Sequence, residues 1–224
     1  MFSHALPLAE RYADLLAGDG VDRGLIGPRE VPRLWERHLL NCALLGRAIP
    51  PSVDVCDVGS GAGLPGIVLA LSRPDLRLTL VEPLLRRTKF LEEVVEHLGL
   101  ENVEVVRARA EELHGKREFT VVTSRAVAPL DRLLSWSMPL VRQGGELVAM
   151  KGSSVHEEIE RAQATLRKFG AGRVRVEQHG REVVDVPTIV VHVEATRPSR
   201  LGLGPPGKSR REKPGRSTRR RRDR

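Results

Sequence analysis

Aromatic residues are scarce: two Trp, one Tyr and four Phe in 224 residues. Seven rings make a thin stacking platform for single-stranded RNA, so arginine planes would have to replace it. Cysteine is limited to Cys42 and Cys56. One of them falls inside an expected strand, which makes a disulfide scaffold implausible and points to a reducing cytoplasm. No apolar run approaches the roughly 18 residues of a membrane span. Glu10 and Asp14 stand where an export signal would be apolar. The seven histidines show no metal-ligand spacing, so no metal is expected. Nothing in the sequence reports an oligomeric state, and a monomer is expected.

What is abundant is positive charge, and it is unevenly placed. Residues 197–224 hold 12 Lys/Arg against 2 Asp/Glu, while the rest of the chain holds 25 against 27. The body is therefore a slightly acidic globule. The arginine-rich tail has almost no large apolar residue, cannot offset its chain entropy by burial, and is expected to be disordered. It reads as an electrostatic arm for nucleic acid, or as a solubilising extension.

Along the chain, Leu8, Tyr12, Leu15 and Leu16 share one helical face. A second helix is predicted from about Glu30 to Arg47, with Leu34, Leu39, Leu44 and Leu45 toward a core, and Pro50 and Pro51 after it. From residue 53 the pattern alternates. VDVCDV, LRLTLVE, VEVVRA, FTVVTS and GELVAMKG read as five strands separated by helices, and RVRVEQH and TIVVHVEA as two more. Such alternation predicts an α/β, Rossmann-like sheet, mostly parallel and seven-stranded. Only GREVVDVP separates the last two strands, too short for a crossover helix, so they should form an antiparallel hairpin at the sheet edge. The expected division is a helical extension over 1–50, the α/β domain over 51–196 and the basic tail over 197–224.

The loop after the first strand is DVGSGAGLPG, residues 57–66. Read from Gly61 it fits a dinucleotide fingerprint, which alone is weak. Two acids sharpen it. Asp57 closes the strand ahead of the loop and is a poor neighbour for pyrophosphate, but suits an ammonium or sulfonium. It could also be a strand-end acid that caps loop amides. Glu82 ends the second strand and can accept from both ribose hydroxyls. Asp57 and the terminal hairpin favour S-adenosylmethionine, with Gly59, Ser60, Gly61 and Gly63 as the loop that approaches it. After the third strand, RARAEE places Ala110 and Glu111 beside the adenine.

The segment after the fourth strand, TSRAVAP, has no Asn/Asp-Pro-Pro-aromatic motif for exocyclic amines and no cysteine for attack at a pyrimidine C5. A nucleophile with a free lone pair and no proton to lose remains, and guanine N7 is one. Arg125 in this segment can grip guanine O6 or a phosphate. A salt bridge to a nearby acid is its plain alternative. Arg109 and Lys151, at the ends of the third and fifth strands, point to the same rim as candidate RNA contacts, or are solvated charges. His38 could reach the site from the N-terminal helix, or be a satisfied helix histidine.

WERHLLNCALL, DVGSGAGLPGIVLAL, LVEPLLRRTKFLEEV, VRARAEE, TSRAVAPLDRLLSW and GGELVAMKG stand in order and spacing that resemble the bacterial 16S ribosomal RNA guanine-N7 methyltransferases, also called the glucose-inhibited division protein B family. The resemblance covers roughly residues 5–195. It implies a class I methyltransferase fold, S-adenosylmethionine as donor, and a guanine in the decoding-centre loop of small-subunit rRNA as target, in the ribosomal subunit or its assembly intermediate. It also implies that Gly59, Leu64, Ala110, Glu111 and Arg125 line the cofactor site, with Arg109, Arg125 and His38 near cofactor or RNA. A small-molecule methyltransferase, or a non-catalytic RNA-binding protein that keeps a cofactor site, are the alternatives.

Overall fold

The computed structural model describes residues 1–2 and 5–196; the basic tail lies outside the described residues. Seven strands form one sheet in the order β3-β2-β1-β4-β5-β7-β6. They are β1 (Asp54–Val58), β2 (Arg77–Val81), β3 (Val103–Val106), β4 (Phe119–Arg125), β5 (Val141–Lys151), β6 (Ala171–His179) and β7 (Thr188–Ala195). The order reverses at β1, which pairs in parallel with both β2 and β4. A ligand site is therefore expected past the carboxyl ends of β1 and β4.

The hairpin is present, with a refinement. β7 inserts between β5 and β6 and runs antiparallel to both, so β6, not the last strand, forms the edge. β5 begins earlier than its apolar run suggests. A register shift between Phe119 and Val121 accompanies Gly144, held at φ +80°, and the tightly packed Gly145.

Strand side chains alternate between two cores. Val55, Leu78, Leu80, Val121, Val148 and Val190 face one layer. Cys56, Val58, Val81, Val122, Leu147 and Val191 face the other. The first layer holds α1 (Leu6–Leu15), α2 (Asn41–Leu45), α3 (Gly66–Ser72) and α4 (Leu85–Leu98). The second holds α5 (Leu130–Ser137), α6 (Val155–Arg161) and α7 (Gln163–Lys168). In α4 the buried Phe90, Leu91, Val94 and Leu98 follow the helical period, and Gly99 ends the helix in the left-handed conformation at φ 63°.

The predicted second helix is one helical path of changing pitch: Pro28–Arg33 as 3₁₀, Leu34–Leu40 as a π turn, α2, then Gly46–Ala48 as 3₁₀. Leu34, Leu39, Leu44 and Leu45 are all buried. Arg73, just past α3, donates to the carbonyls of Gly46, Ile49 (3.0 Å) and Pro50 (3.2 Å), satisfying the orphan acceptors where this path ends. The N-terminal helices thus share the core of the sheet's first face and overhang its carboxyl edge.

Candidate active site

A cleft of about 600 Å³ opens past the ends of β1, β2 and β4. Its floor is the glycine loop. Gly59, Gly61 and Gly63 all have positive φ, 73°, 58° and 97°. Their surroundings differ. A Cβ at Gly61 would meet nothing nearer than 3.8 Å, so this residue faces open space. A Cβ at Gly59 would collide with Val127, and one at Gly63 with Ile67 and the Tyr12 hydroxyl. Gly61 borders the cleft; Gly63 is a packing glycine and does not line it. Ser60 lines it at the backbone level, its hydroxyl donating to the Asp57 carbonyl at 2.9 Å.

Glu82 fixes the loop's height. Its carboxylate accepts from Gly61 N–H and Leu84 N–H, each at 3.0 Å, and lies 3.6 Å from Arg87. Its remaining lone pairs border the cleft. Leu64, Ala110 and Glu111 line the same cavity, as do Arg109, Arg125 and His38. Arg109 and Glu111 are exposed.

Asp57 stands apart from this set. It is fully buried and does not line the cleft; Oδ2 accepts Gly66 N–H at 3.0 Å at the start of α3, and Oδ1 has no partner. The carboxyl is seated beneath the loop as a helix cap, the plainer of the two roles weighed for it, and does not itself border the cleft. Burial pushes its pKa up to about 7. Between the unfolded value near 4 and this value, the native state keeps a proton that the unfolded chain releases. Stability from this group is therefore full at the acid end and falls as pH rises through that window. Asp57→Asn keeps an acceptor for Gly66 but cannot titrate. Urea unfolding at pH 5 and pH 8 should show the variant gaining on the wild type at the higher pH. The gain should reach up to a few kcal/mol, because each pH unit crossed within the window is worth ~1.4 kcal/mol. Parallel profiles would show that Asp57 does not titrate there.

Arg125, the last residue of β4, is held by three acceptors and by no carboxylate among the described residues. Nη1 donates to Cys42 Sγ at 3.1 Å; Nη2 donates to the Arg37 carbonyl at 3.4 Å and to His38 Nδ1. An arginine only donates, so Nδ1 is the lone-pair nitrogen and Nε2 carries the proton, given to Glu30 at 2.8 Å. Burial, and then the Arg125 charge, lower the His38 pKa, keeping the ring neutral. His38 is thus a satisfied histidine that aims Arg125. Of the five guanidinium hydrogens, those on Nε and one on Nη1 stay unused. The salt bridge weighed as its alternative is not there among the described residues: the fork is fixed and its charge is left for something else.

Lys151 is otherwise occupied. Its Nζ pairs with Glu158 at 2.6 Å and donates to the Ala128 carbonyl at 2.9 Å, with the side chain almost wholly buried. It braces the loop after β4 while bordering a second cleft on that loop's far side.

A second, larger cleft of about 1030 Å³ lies on the other side of that loop. Arg33, Arg37 and Arg161 border it, and Val184, Val186 and Pro187 of the β6–β7 loop form a further wall. Arg125, Ala126 and Val127 line both cavities. Ala126 has φ 54°, unusual for a residue with a side chain. The sequence reading missed Tyr12, whose hydroxyl donates to the Ala62 carbonyl at 2.7 Å, and Cys42 and Glu30, which set Arg125 through direct or relayed contacts. The lone tyrosine on the apolar face of α1 was the available signal for the first.

A glycine loop after β1, an acid at the end of β2 and a sheet whose β7 runs backward define a class I methyltransferase fold. Two solved structures share it: a SAM-dependent O-methyltransferase from Thermotoga maritima (TM-score 0.55, 12% identity, 75% of this chain and 71% of that one) and a ribosomal protein L11 methylase from Lactobacillus delbrueckii subsp. bulgaricus (TM-score 0.52, 15% identity, 70% and 77%). Residues 5–184 match the family model described as GidB, rRNA small subunit methyltransferase G. The chain is 63% identical over 199 residues to the Ribosomal RNA small subunit methyltransferase G of Nocardioides sp., covering 89% of this chain and 80% of that protein. Against the protein of that name from Thermobifida fusca it is 53% identical over 220 residues, covering 98% and 93%. The chain belongs to the rRNA small subunit methyltransferase G family.

Proposed function

We propose that this protein transfers a methyl group from S-adenosylmethionine to N7 of a guanine in the decoding-centre loop of 16S rRNA. The observation that carries the reading is the wall shared by two clefts. Arg125, Ala126 and Val127 border a glycine-floored cavity on one side and an arginine-edged one on the other. A methyl group passing from a donor in the first to an acceptor in the second would pass at this wall.

The residues present suit such a donor. Gly61 leaves the space a Cβ would fill. Glu82 has acceptor capacity left for ribose hydroxyls, and Ala110 and Glu111, which line the same cleft, would lie beside the adenine. When bound, S-adenosylmethionine supplies an electrophilic methyl on a sulfonium. The chain's own task is then to position and to exclude water. Arg125 offers an unused N–H to guanine O6, which holds the neighbouring N7 lone pair in line. N7 carries no proton, so no general base is required, consistent with a neutral His38 that serves only to aim the arginine. Arg33, Arg37 and Arg161 suit phosphates flanking the base. A ribosomal substrate would fit a cytoplasmic protein; among the described residues no helix is long and apolar enough to cross a membrane.

The test is methyl transfer from labelled donor to small-subunit particles, to protein-free 16S rRNA and to a metabolite extract, followed by mapping of the modified nucleotide. Label at a guanine N7 in the RNA arms is expected. Label confined to the metabolites would establish a small-molecule enzyme, and donor binding without label anywhere would establish a non-catalytic binder.

A further inference from the structure

The histidines show no ligand spacing in the sequence, yet the pairing of β6 with β7 gathers two of them around a carboxylate. Glu177 and His179 are two apart on β6 and so share a face; His192 comes from β7. One ligand atom from each lies within 4.8 Å of the others. His179 Nε2 and His192 Nε2 stand 3.2 and 3.5 Å from the same Glu177 oxygen, Oε2. Neither nitrogen has a hydrogen-bond partner, although both are buried and His192 is 1% exposed. Two orphaned imidazole nitrogens aimed at one carboxylate oxygen are costly unless something sits between them.

We infer that Glu177, His179 and His192 bind a divalent transition-metal ion of the zinc type. Two imidazoles and one carboxylate are a donor set that suits zinc, with a fourth position left to water. The outer contacts fit as well. His192 Nδ1 lies 3.0 Å from Glu146 Oε2. A proton on Nδ1 donated to Glu146 leaves Nε2 as the lone-pair nitrogen facing Glu177, the carboxylate–histidine arrangement that orients metal ligands. Arg175 Nη2, 2.9 Å from the same Nδ1, favours the other tautomer. An ion at the site would select the first. Charge points the same way: Glu146, Glu177 and Glu194 surround a single Arg175. Three carboxylates against one guanidinium leave an excess of negative charge beside the two imidazoles.

None of the three ligands borders either cleft, so the ion would act as a staple and not in methyl transfer. His179 is the last residue of β6, directly before the loop that carries Val184, Val186 and Pro187 to the larger cavity. The ion would tie the base of that loop to the sheet edge. This inference is independent of the substrate assigned above.

The full chain, stripped with chelator, is titrated with Zn²⁺ while its thermal midpoint and a competing dye are followed. One equivalent should bind, and the midpoint should rise by on the order of 5 °C or more at a hundredfold excess over Kd. His179→Ala and Glu177→Gln should each weaken binding by about 100-fold or more, and Glu146→Gln by ~10–100-fold. His97→Ala, on the exposed face of α4, should change nothing. Circular dichroism of the metal-free variants separates ligand loss from misfolding. Co²⁺ in the wild type adds a readout that needs no variant, the visible bands of a low-coordinate nitrogen–oxygen site. No Zn²⁺-dependent shift in the wild type, or one that survives in both His179→Ala and Glu177→Gln, overturns the inference.

Discussion

Arg125→Ala is expected to lower methyl transfer to small-subunit RNA on the order of 100-fold or more, with donor binding far less affected. The guanidinium is held by Cys42, His38 and the Arg37 carbonyl, and two of its hydrogens face away from these partners. Removing it deletes the group proposed to align guanine N7, and misalignment of a reacting atom by about an ångström costs roughly that factor. The change also leaves His38 Nδ1 without its donor, which costs about 1–3 kcal/mol of stability. Activity should therefore fall well beyond what loss of folded protein explains. Measuring kcat/KM for particles, donor affinity by calorimetry and the urea midpoint on one preparation separates the three. Arg125→Lys keeps the charge but not the fork, and should recover little. Turnover near wild type in Arg125→Ala would show that the shared wall acts by shape alone.

Gly61→Val is expected to weaken S-adenosylmethionine binding by about 100-fold or more. Two effects combine. The backbone sits at φ 58°, where a branched side chain is strained, and its N–H must stay in place to donate to Glu82. The side chain would also enter the open space above the loop. Gly61→Ala carries most of the backbone strain, at roughly 1 kcal/mol, with only a methyl group in the cavity. If filling dominates, alanine retains much of the affinity and valine little, as calorimetry would show. Equal losses would assign the effect to the backbone, and unchanged affinity in valine would place the donor elsewhere.

The strand–helix alternation and the hairpin were legible because each depends on local periodicity or on the length of one connection. Gly59, Gly61, Leu64, Glu82, Ala110 and Glu111 reached one cleft for a related reason: the carboxyl ends of neighbouring parallel strands must converge. Asp57 did not. Side chains alternate along a strand, and β1 turns this one beneath the loop toward Gly66. The pairing of Lys151 was not legible because its partner, Glu158, lies on a helix whose packing the sequence does not reveal. The Glu177–His179–His192 cluster was invisible for the same reason: it exists only once the register of β6 against β7 is known.

Tyr12 is the chain's one tyrosine, and its hydroxyl rests on the Ala62 carbonyl of the glycine loop. Burial drives its ionisation well above the ordinary phenol range. The molecule thus carries a single titratable phenol, placed at the joint between its N-terminal helix and its glycine loop. Tyrosinate absorbance in alkali reports when that joint opens, with no label added and no second tyrosine to confuse the signal.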